Sequence, residues 1–506
     1  MKKHVIWTVI ASLFFTLQLA AQVLMAAVVL KLNVLPQKYV VAMVLLLVLF
    51  GALTGVLLFL HGKKPAGAAR RIIACLLALL IAAGCGVAAK LVSDAQRTGD
   101  AVTGKVTTTV RNVYVFVPLD DPAQTLTDAA GYTFGYVAGY DVRHTQQAIA
   151  QIEETLGKAV PLTAFTQSSD MAKALFEGSV DAVIMNGASV ALLLEEEDYA
   201  DFAEKVRILE TLSFAQLEET EPTEPPETTQ PEIPKTVTNS PFAVYISGSD
   251  TRSSKLTVSR SDVNILVIVN PVTKQILLLN TPRDYYVANP EGGGAMDKLT
   301  HCGLYGPECS MKVLGDLYGI DVDFYGQINF TGFETLVDAV GGITVYSDQS
   351  FKAGNTYISA GNNELNGSQA LDFARERYRV SGGDRGRGNN QMKVVKAVIE
   401  KMTSGTTIIS NYSAILASLE GMFSTSMEME DISMLVKMQL EDMAKWNIQT
   451  FSVNGVGGSE KTYSMPGSYA YVMYEDKNIT GYASELIQRV YAGEILTEED
   501  MVMPQK

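Results

Sequence analysis

Three long uncharged stretches open the chain, and everything after them alternates shorter apolar runs with polar segments. Val5–Leu30 runs 26 residues without a charge, Val40–Leu60 runs 21 and Ile72–Ala89 runs 18. Each is near the roughly 20 apolar residues that a helix needs to span hydrocarbon. The pattern predicts a three-span membrane anchor over 1–95. The first stretch exceeds the apolar region of a cleaved signal peptide, which has about 7–15 residues. Lys2 and Lys3 precede span one, and Lys63, Lys64, Arg70 and Arg71 lie between spans two and three, whereas the other short loop has only Lys31 and Lys38. By the positive-inside tendency the N-terminus is cytoplasmic and the chain after about residue 90 is extracytoplasmic.

Beyond the anchor the periodicity is that of an α/β domain over 106–215. Asn112–Pro118, Tyr132–Ala138 and Val180–Asn186 read as strands, and Asp141–Leu156 as a helix with Asp141 as N-cap. Alternation of this kind favours a mainly parallel sheet. The pattern then stops. Glu218–Pro234 holds six Glu, five Pro and four Thr in seventeen residues, a composition that buries no core and marks a linker over 216–240. Strand and helix patterns resume at 241. Phe242–Ser247 reads as a strand, Asn264–Val269 and Gln275–Leu279 as a hairpin, and Ser310–Tyr318, Phe324–Ile328, Gly332–Val340, Ile343–Tyr346, Ser368–Glu376 and Gln391–Met402 as alternating helices and strands. This predicts an α/β/α sandwich with a mixed sheet over 241–405, and a helical extension over 406–506 packed on it.

Charge and composition narrow the chemistry. A net charge of −15 excludes nucleic acid as a bulk partner, because such binding needs clustered positive charge. With four His and four Cys in all, and only His144, His301, Cys302 and Cys309 away from the spans, neither a zinc site nor a Cys/His nucleophile pair is indicated. Four polar clusters adjoin apolar elements of the last domain. Asp250 follows its first strand, Asp262 precedes the second, and Arg283 and Asp284 follow the third. The densest cluster is Arg375, Arg377, Arg379, Asp384, Arg385 and Arg387, followed by Gln391. Converging guanidinium forks suit a diphosphate, and two carboxylates suit a magnesium ion that bridges phosphate oxygens. Equally, these arginines can pair with Glu376, Asp372 or Asp384 on a solvated helix end, and spacing leaves both readings open. The glycine-rich stretches Gly383–Gly388 and Gly455–Thr462 match neither a dinucleotide fingerprint nor a P-loop and read as loops.

The ordered motifs of this region do more than any single cluster. Arg260-Ser261-Asp262-Val263-Asn264-Ile265, Asn270-Pro271 to Lys274, Thr281-Pro282-Arg283-Asp284, Asp297-Lys298-Leu299-Thr300-His301, Asn329-Phe330, Val340-Gly341-Gly342-Ile343, Leu365-Asn366-Gly367, Arg375-Glu376-Arg377 and Asp384-Arg385-Gly386-Arg387 with Gln391 resemble, in order, the domain of the LytR-CpsA-Psr family. The anchor and the intermediate α/β domain resemble its capsule-polymer branch. The resemblance implies a bacterial phosphotransferase that moves a glycan, capsule polymer or teichoic acid among them, from an undecaprenyl-diphosphate carrier to peptidoglycan, with the lipid tail in an apolar pocket beside the sheet. It further implies Asp250 and Asp262 as Mg²⁺-associated carboxylates, Arg283, Lys298, Arg375, Arg377, Arg387 and Gln391 as diphosphate-binding groups, and Asp384 as an orienting group or a base assisting acceptor deprotonation. A hydrolase acting on the same diphosphate and a non-enzymatic receptor are the alternative readings. Two departures from the family pattern are Arg385, an extra cation, and Cys302 with Cys309, which are expected to form a disulfide outside the membrane.

Overall fold

The computed structural model describes residues 2–59, 66–103, 106–138, 142–219, 235–249, 251–252, 255–256, 258–404 and 407–503. Asp141 and Asp250 lie outside the described residues. The three apolar stretches form α1 (Lys2–Leu32), α2 (Gln37–Phe59) and α3 (Ala66–Val102). All three are long and apolar enough to cross a membrane. Helix α3 has 37 residues, about 55 Å at 1.5 Å per residue, against roughly 30 Å of hydrocarbon. Its C-terminal turns therefore continue past the bilayer.

The intermediate domain is a five-stranded sheet of β1 (Val106–Pro118), β2 (Phe134–Val137), β3 (Leu162–Phe165), β4 (Ala182–Asn186) and β5 (Val206–Glu219) in the order β3-β2-β4-β1-β5, with α4 (Val142–Leu156), α5 (Ser168–Phe176), α6 (Gly187–Leu193) and α7 (Phe202–Lys205). Only β2·β3 and β2·β4 are parallel, while β1 pairs antiparallel with β4 and β5. The expected mainly parallel sheet is thus mixed, because β5 returns along β1 rather than through a crossover. β5 also runs to Glu219, into the segment read as linker.

The last domain is built on six strands: β6 (Phe242–Ser249), β7 (Val263–Asn270), β8 (Gln275–Asn280), then, after the hairpin β9 (Tyr286–Asn289) and β10 (Ala295–Lys298), β11 (Phe324–Asn329), and much later β16 and β17. Around it lie α8 (Leu299–Cys302), α9 (Pro307–Tyr318), α10 (Phe330–Ala339), the small pairs β12 (Ile343–Ser347) with β15 (Gly361–Leu365) and β13 (Phe351–Ala353) with β14 (Thr356–Ile358), then α11 (Gly367–Arg375), α12 (Asp384–Thr403) and α13 (Thr407–Leu419). The chain ends with β16 (Phe423–Thr425), α14 (Met429–Asp442), β17 (Asn447–Ser452), the hairpin β18 (Gly455–Glu460) and β19 (Ala470–Glu475), and α15 (Lys477–Tyr491). The sheet order is β16-β11-β6-β7-β8-β17. Period-two burial sorts its residues onto two faces. Leu266, Ile268, Leu277 and Leu279 pack with Val313 of α9 and Leu486 of α15, and Ile265, Val267, Ile276 and Leu278 with Met392 of α12 and partly buried Leu435 of α14. That is the predicted α/β/α sandwich.

Three sequence expectations are corrected here. The segment after 405 is no helical extension: β16 and β17 are the two edge strands of the sheet, β17 parallel to β8 with Ile448 opposite Ile276. Gly383–Gly388 is not a loop throughout, since α12 starts at Asp384 and carries Gly386 and Gly388 in its first turns. A Cβ at 388 would lie 2.5 Å from Asn280 Nδ2, so the close approach of α12 to the end of β8 overrides glycine's low helix propensity. Gly455–Glu460 is likewise a strand, paired with β19.

Helices α13 and α14 join this domain to the anchor. Lys38 Nζ donates to Glu441 O at 2.6 Å, Val34 packs on Val436 and Leu440, and Gly99 of α3 approaches Met429. The loop after span one and the end of span three thus both meet α14.

Candidate functional site

Strands β6, β8, β11 and β17 run in one direction and β7 in the other. One edge of the sheet therefore gathers the C-terminal ends of four strands and the N-terminal end of β7. Asp262 precedes β7 and Arg283 and Asp284 follow β8 at this edge, and the glycine-lined start of α12 leans over it. Arg283 Nη1 donates to Asp262 Oδ1 at 2.6 Å, while its Nε faces Asp284 Oδ2 at 3.6 Å. A narrow cleft of about 20 Å³ is lined by Asp262, Asn280, Arg283, Arg385, Arg387 and Gln391, with Val453 and Met473 as its apolar wall. Arg385, Arg387 and Gln391 come from the first two turns of α12, and a helix N-terminus favours anions. Entry of a diphosphate must spread these side chains, since the cleft has the room of one water.

The other predicted residues stand apart from this cleft. Arg375 lies over the Phe330 ring, 4.6 Å from its centroid, at the start of α10. Arg377 stacks on exposed Tyr378 at 4.6 Å and donates to its hydroxyl. Among the described residues neither makes an ion pair, whereas Arg379 pairs with buried Glu376 at 3.4 Å. Lys298 is 6% exposed and sits behind the cleft, with Nζ 3.4 Å from Asp284 Oδ1 and 3.1 Å from Glu195 Oε2. Asp384 opens α12; its side chain, like Asp250, falls outside what the structure describes. Cys302 and Cys309 are buried free thiols in the core under β9 and α9, so the expected disulfide is absent. The hydrogen bond to Cys309 and burial push the Cys302 thiol up.

The structure groups around the cleft five residues to which sequence reasoning gave no role: Glu195, Arg260, Asp284, Asp297 and His301. His301 Nδ1 meets Asp297 Oδ1 at 2.6 Å with both side chains fully buried, and Asp297 Oδ2 accepts from Ser464 and Asn289. Burial pushes the His301 pKa down, but its contacts with Asp297 and Glu195 outweigh that and raise it above 6.5. Burial likewise pushes Asp297 up, and His301 outweighs it. The quoted Asp297-to-His301 motif carries this i,i+4 pair, so its spacing was a usable signal. Glu195 gives no signal, because it opens an acidic run that looks solvated.

As for magnesium, Asp262 commits Oδ1 to Arg283 and retains Oδ2. One carboxylate oxygen fits a Mg²⁺ ion carried mainly by phosphate oxygens and water. Among the described residues no group of three or more His, Cys, Asp or Glu could form a full protein cage.

Comparison with known proteins adds the family. The family model described as LytR_cpsA_psr matches residues 210–482. The polyisoprenyl-teichoic acid–peptidoglycan teichoic acid transferase TagU of Oceanobacillus iheyensis is 31% identical over 255 residues, 48% of this chain and 76% of that protein. TagU of Enterococcus faecalis is 35% identical over 194 residues, 38% of this chain and 63% of that protein. The crystal structure of TagV of B. subtilis covers 51% of this chain and 99% of its own at 23% identity, with a TM-score of 0.42. With the model spanning more than half of its residues, this chain belongs to the LytR_cpsA_psr family.

Proposed function

We infer that this chain is a membrane-anchored glycopolymer transferase, which moves a glycan from a polyprenyl-diphosphate carrier to peptidoglycan. The observation that carries this reading is the cleft in which Arg283, Arg385 and Arg387 surround Asp262 and Gln391 at one sheet edge. In the reaction an acceptor sugar hydroxyl attacks the phosphorus nearer the glycan. A new P–O bond forms as the bond to the bridging oxygen breaks, and polyprenyl phosphate leaves with that electron pair. The hydroxyl proton passes to a base, for which Asp384 is the proposed group. The arginine forks grip non-bridging oxygens and stabilise the charge that develops there. Arg375 and Arg377, without ion pairs among the described residues, are proposed to bind the outer part of the diphosphate or its first sugar. We further propose that Asp262 and Asp250 hold Mg²⁺, which when bound neutralises phosphate charge.

Anchoring places enzyme and carrier lipid on one surface. The contacts of α13 and α14 with the loop after span one and with the end of α3 support a catalytic domain resting on the extracytoplasmic face of a bacterial membrane. Reconstitution of the full chain in liposomes with polyprenyl-diphosphate glycan and isolated cell walls tests the reading. Covalent attachment of glycan with release of polyprenyl phosphate is expected. Release of free glycan phosphate alone would identify a hydrolase, and no turnover would leave a receptor.

A further inference from the structure

A carboxylate of the intermediate domain is built into the catalytic domain. Glu195 follows α6, whose Ala188 and Leu192 share one apolar cluster with Leu304, Met465 and Ala470 of the catalytic domain. That packing delivers the carboxylate between cations. Oε1 pairs with Arg260, and Oε2 lies 3.1 Å from Lys298 Nζ and 3.8 Å from His301 Nε2. From there charges alternate without a break. Lys298 reaches Asp284, Asp284 faces Arg283, and Arg283 holds Asp262 at 2.6 Å in the cleft. Arg260, Arg283 and Lys298, with His301 beside them, thus interleave with Glu195, Asp262, Asp284 and Asp297.

We propose that Glu195 is a positioning residue for transfer: through Lys298 and Asp284 it fixes the guanidinium of Arg283 at the phosphoryl-binding cleft, so the site is complete only with the intermediate domain docked. This rests on the transferase reading. Lys298 is too buried to reach the cleft and acts through Asp284. Without Glu195, Lys298 must draw its compensation from Asp284 alone. Asp284 then turns from Arg283, whose remaining bond to Asp262 leaves the fork free to swing. Burial pushes the Glu195 carboxyl up, but His301, Lys298 and Arg260 hold it well below the usual range, so the charge is present throughout the physiological range.

Glu195→Gln in the reconstituted full chain tests this. The expected result is a fall in kcat of about ten- to a hundredfold, the usual effect of losing a group that orients a reacting one, with KM for the lipid-linked glycan changed less than about threefold. Glu195→Asp, which keeps the charge, should recover part of the rate, and Glu197→Gln, on an exposed neighbour, none of the loss. In the pair Glu195→Gln with Lys298→Gln the losses should not multiply, because both act along one chain of contacts. Wild-type kcat in Glu195→Gln, or multiplied losses in the double variant, overturns the proposal. Should Glu195→Gln not fold, a wild-type kcat in Lys298→Gln, which cuts the same chain of contacts, overturns it instead. An unsubstituted chain that transfers nothing sinks the transferase reading and this one with it, which separates the two failures.

Discussion

Replacing Arg283 separates what the cleft does for stability from what it does for chemistry. Its side chain is 19% exposed and bridges Asp262 at 2.6 Å and Asp284 at 3.6 Å. In Arg283→Ala, Asp284 keeps Lys298 but Asp262 loses its partner. Breaking a fully buried pair costs about 3–5 kcal/mol and an exposed one about 0–1. For this partly screened pair roughly 1–3 kcal/mol is expected. At about 2–4 °C per kcal/mol for a domain of this size, Tm falls by roughly 2–12 °C. Transfer should fall further, by about 10²–10³, as when one preorganised donor is removed from a site of developing charge. Arg283→Lys distinguishes the two effects. Its point charge restores much of the melting temperature, but it lacks the planar fork and recovers little activity. Thermal denaturation alongside transfer of labelled glycan to cell walls measures both. Transfer within threefold of wild type in Arg283→Ala, with the lowered Tm, would refute the reasoning and reduce Arg283 to a brace for Asp262.

Gly388→Ala adds a Cβ 2.5 Å from Asn280 Nδ2, which itself donates to Ser452. The gain in helix propensity of about 1 kcal/mol is outweighed by overpacking of about 1–3, so both Tm and transfer should fall, and an unchanged transfer rate would show that α12 can shift freely. The His301 pKa is raised on folding, so its contribution to stability is complete below about pH 6.5 and is lost as pH rises through the folded value, whereas the lowered Asp297 and Glu195 lose theirs only on acidification. Melting temperature should therefore decline on the alkaline side, and His301→Asn should flatten that decline. Chelation of divalent cations by EDTA should abolish transfer, with recovery on adding Mg²⁺; full activity in EDTA would remove the metal from the mechanism.

Patterns local in sequence were legible because their physics is local. Uncharged runs long enough for hydrocarbon gave the three spans, and β6, β7 and β8 appeared where apolar residues cluster between turn signals, while most of the Glu/Pro/Thr run read as a linker, 220–234, lies outside the described residues. The ordered motifs located Asp262, Arg283, Arg387 and Gln391, which meet in one cleft. Residues distant along the chain have no such signature. Glu195 pairs with residues 65 and 103 positions away, and only docking through Leu192 brings its charge out of an acidic run that looks like solvated surface. β17 joins the sheet at an edge where pairing with β8, not its own composition, makes it a strand. The start of α12 contains two glycines, Gly386 and Gly388, that argue against a helix, until the approach of Asn280 leaves room for nothing larger at 388. Sequence alone thus determined the three apolar spans and the α/β/α sandwich. The tertiary structure decided which cations face the cleft, which are stacked or buried away from it, and which carboxylate holds them there, since ion pairs form by proximity in space and carry no period along the chain.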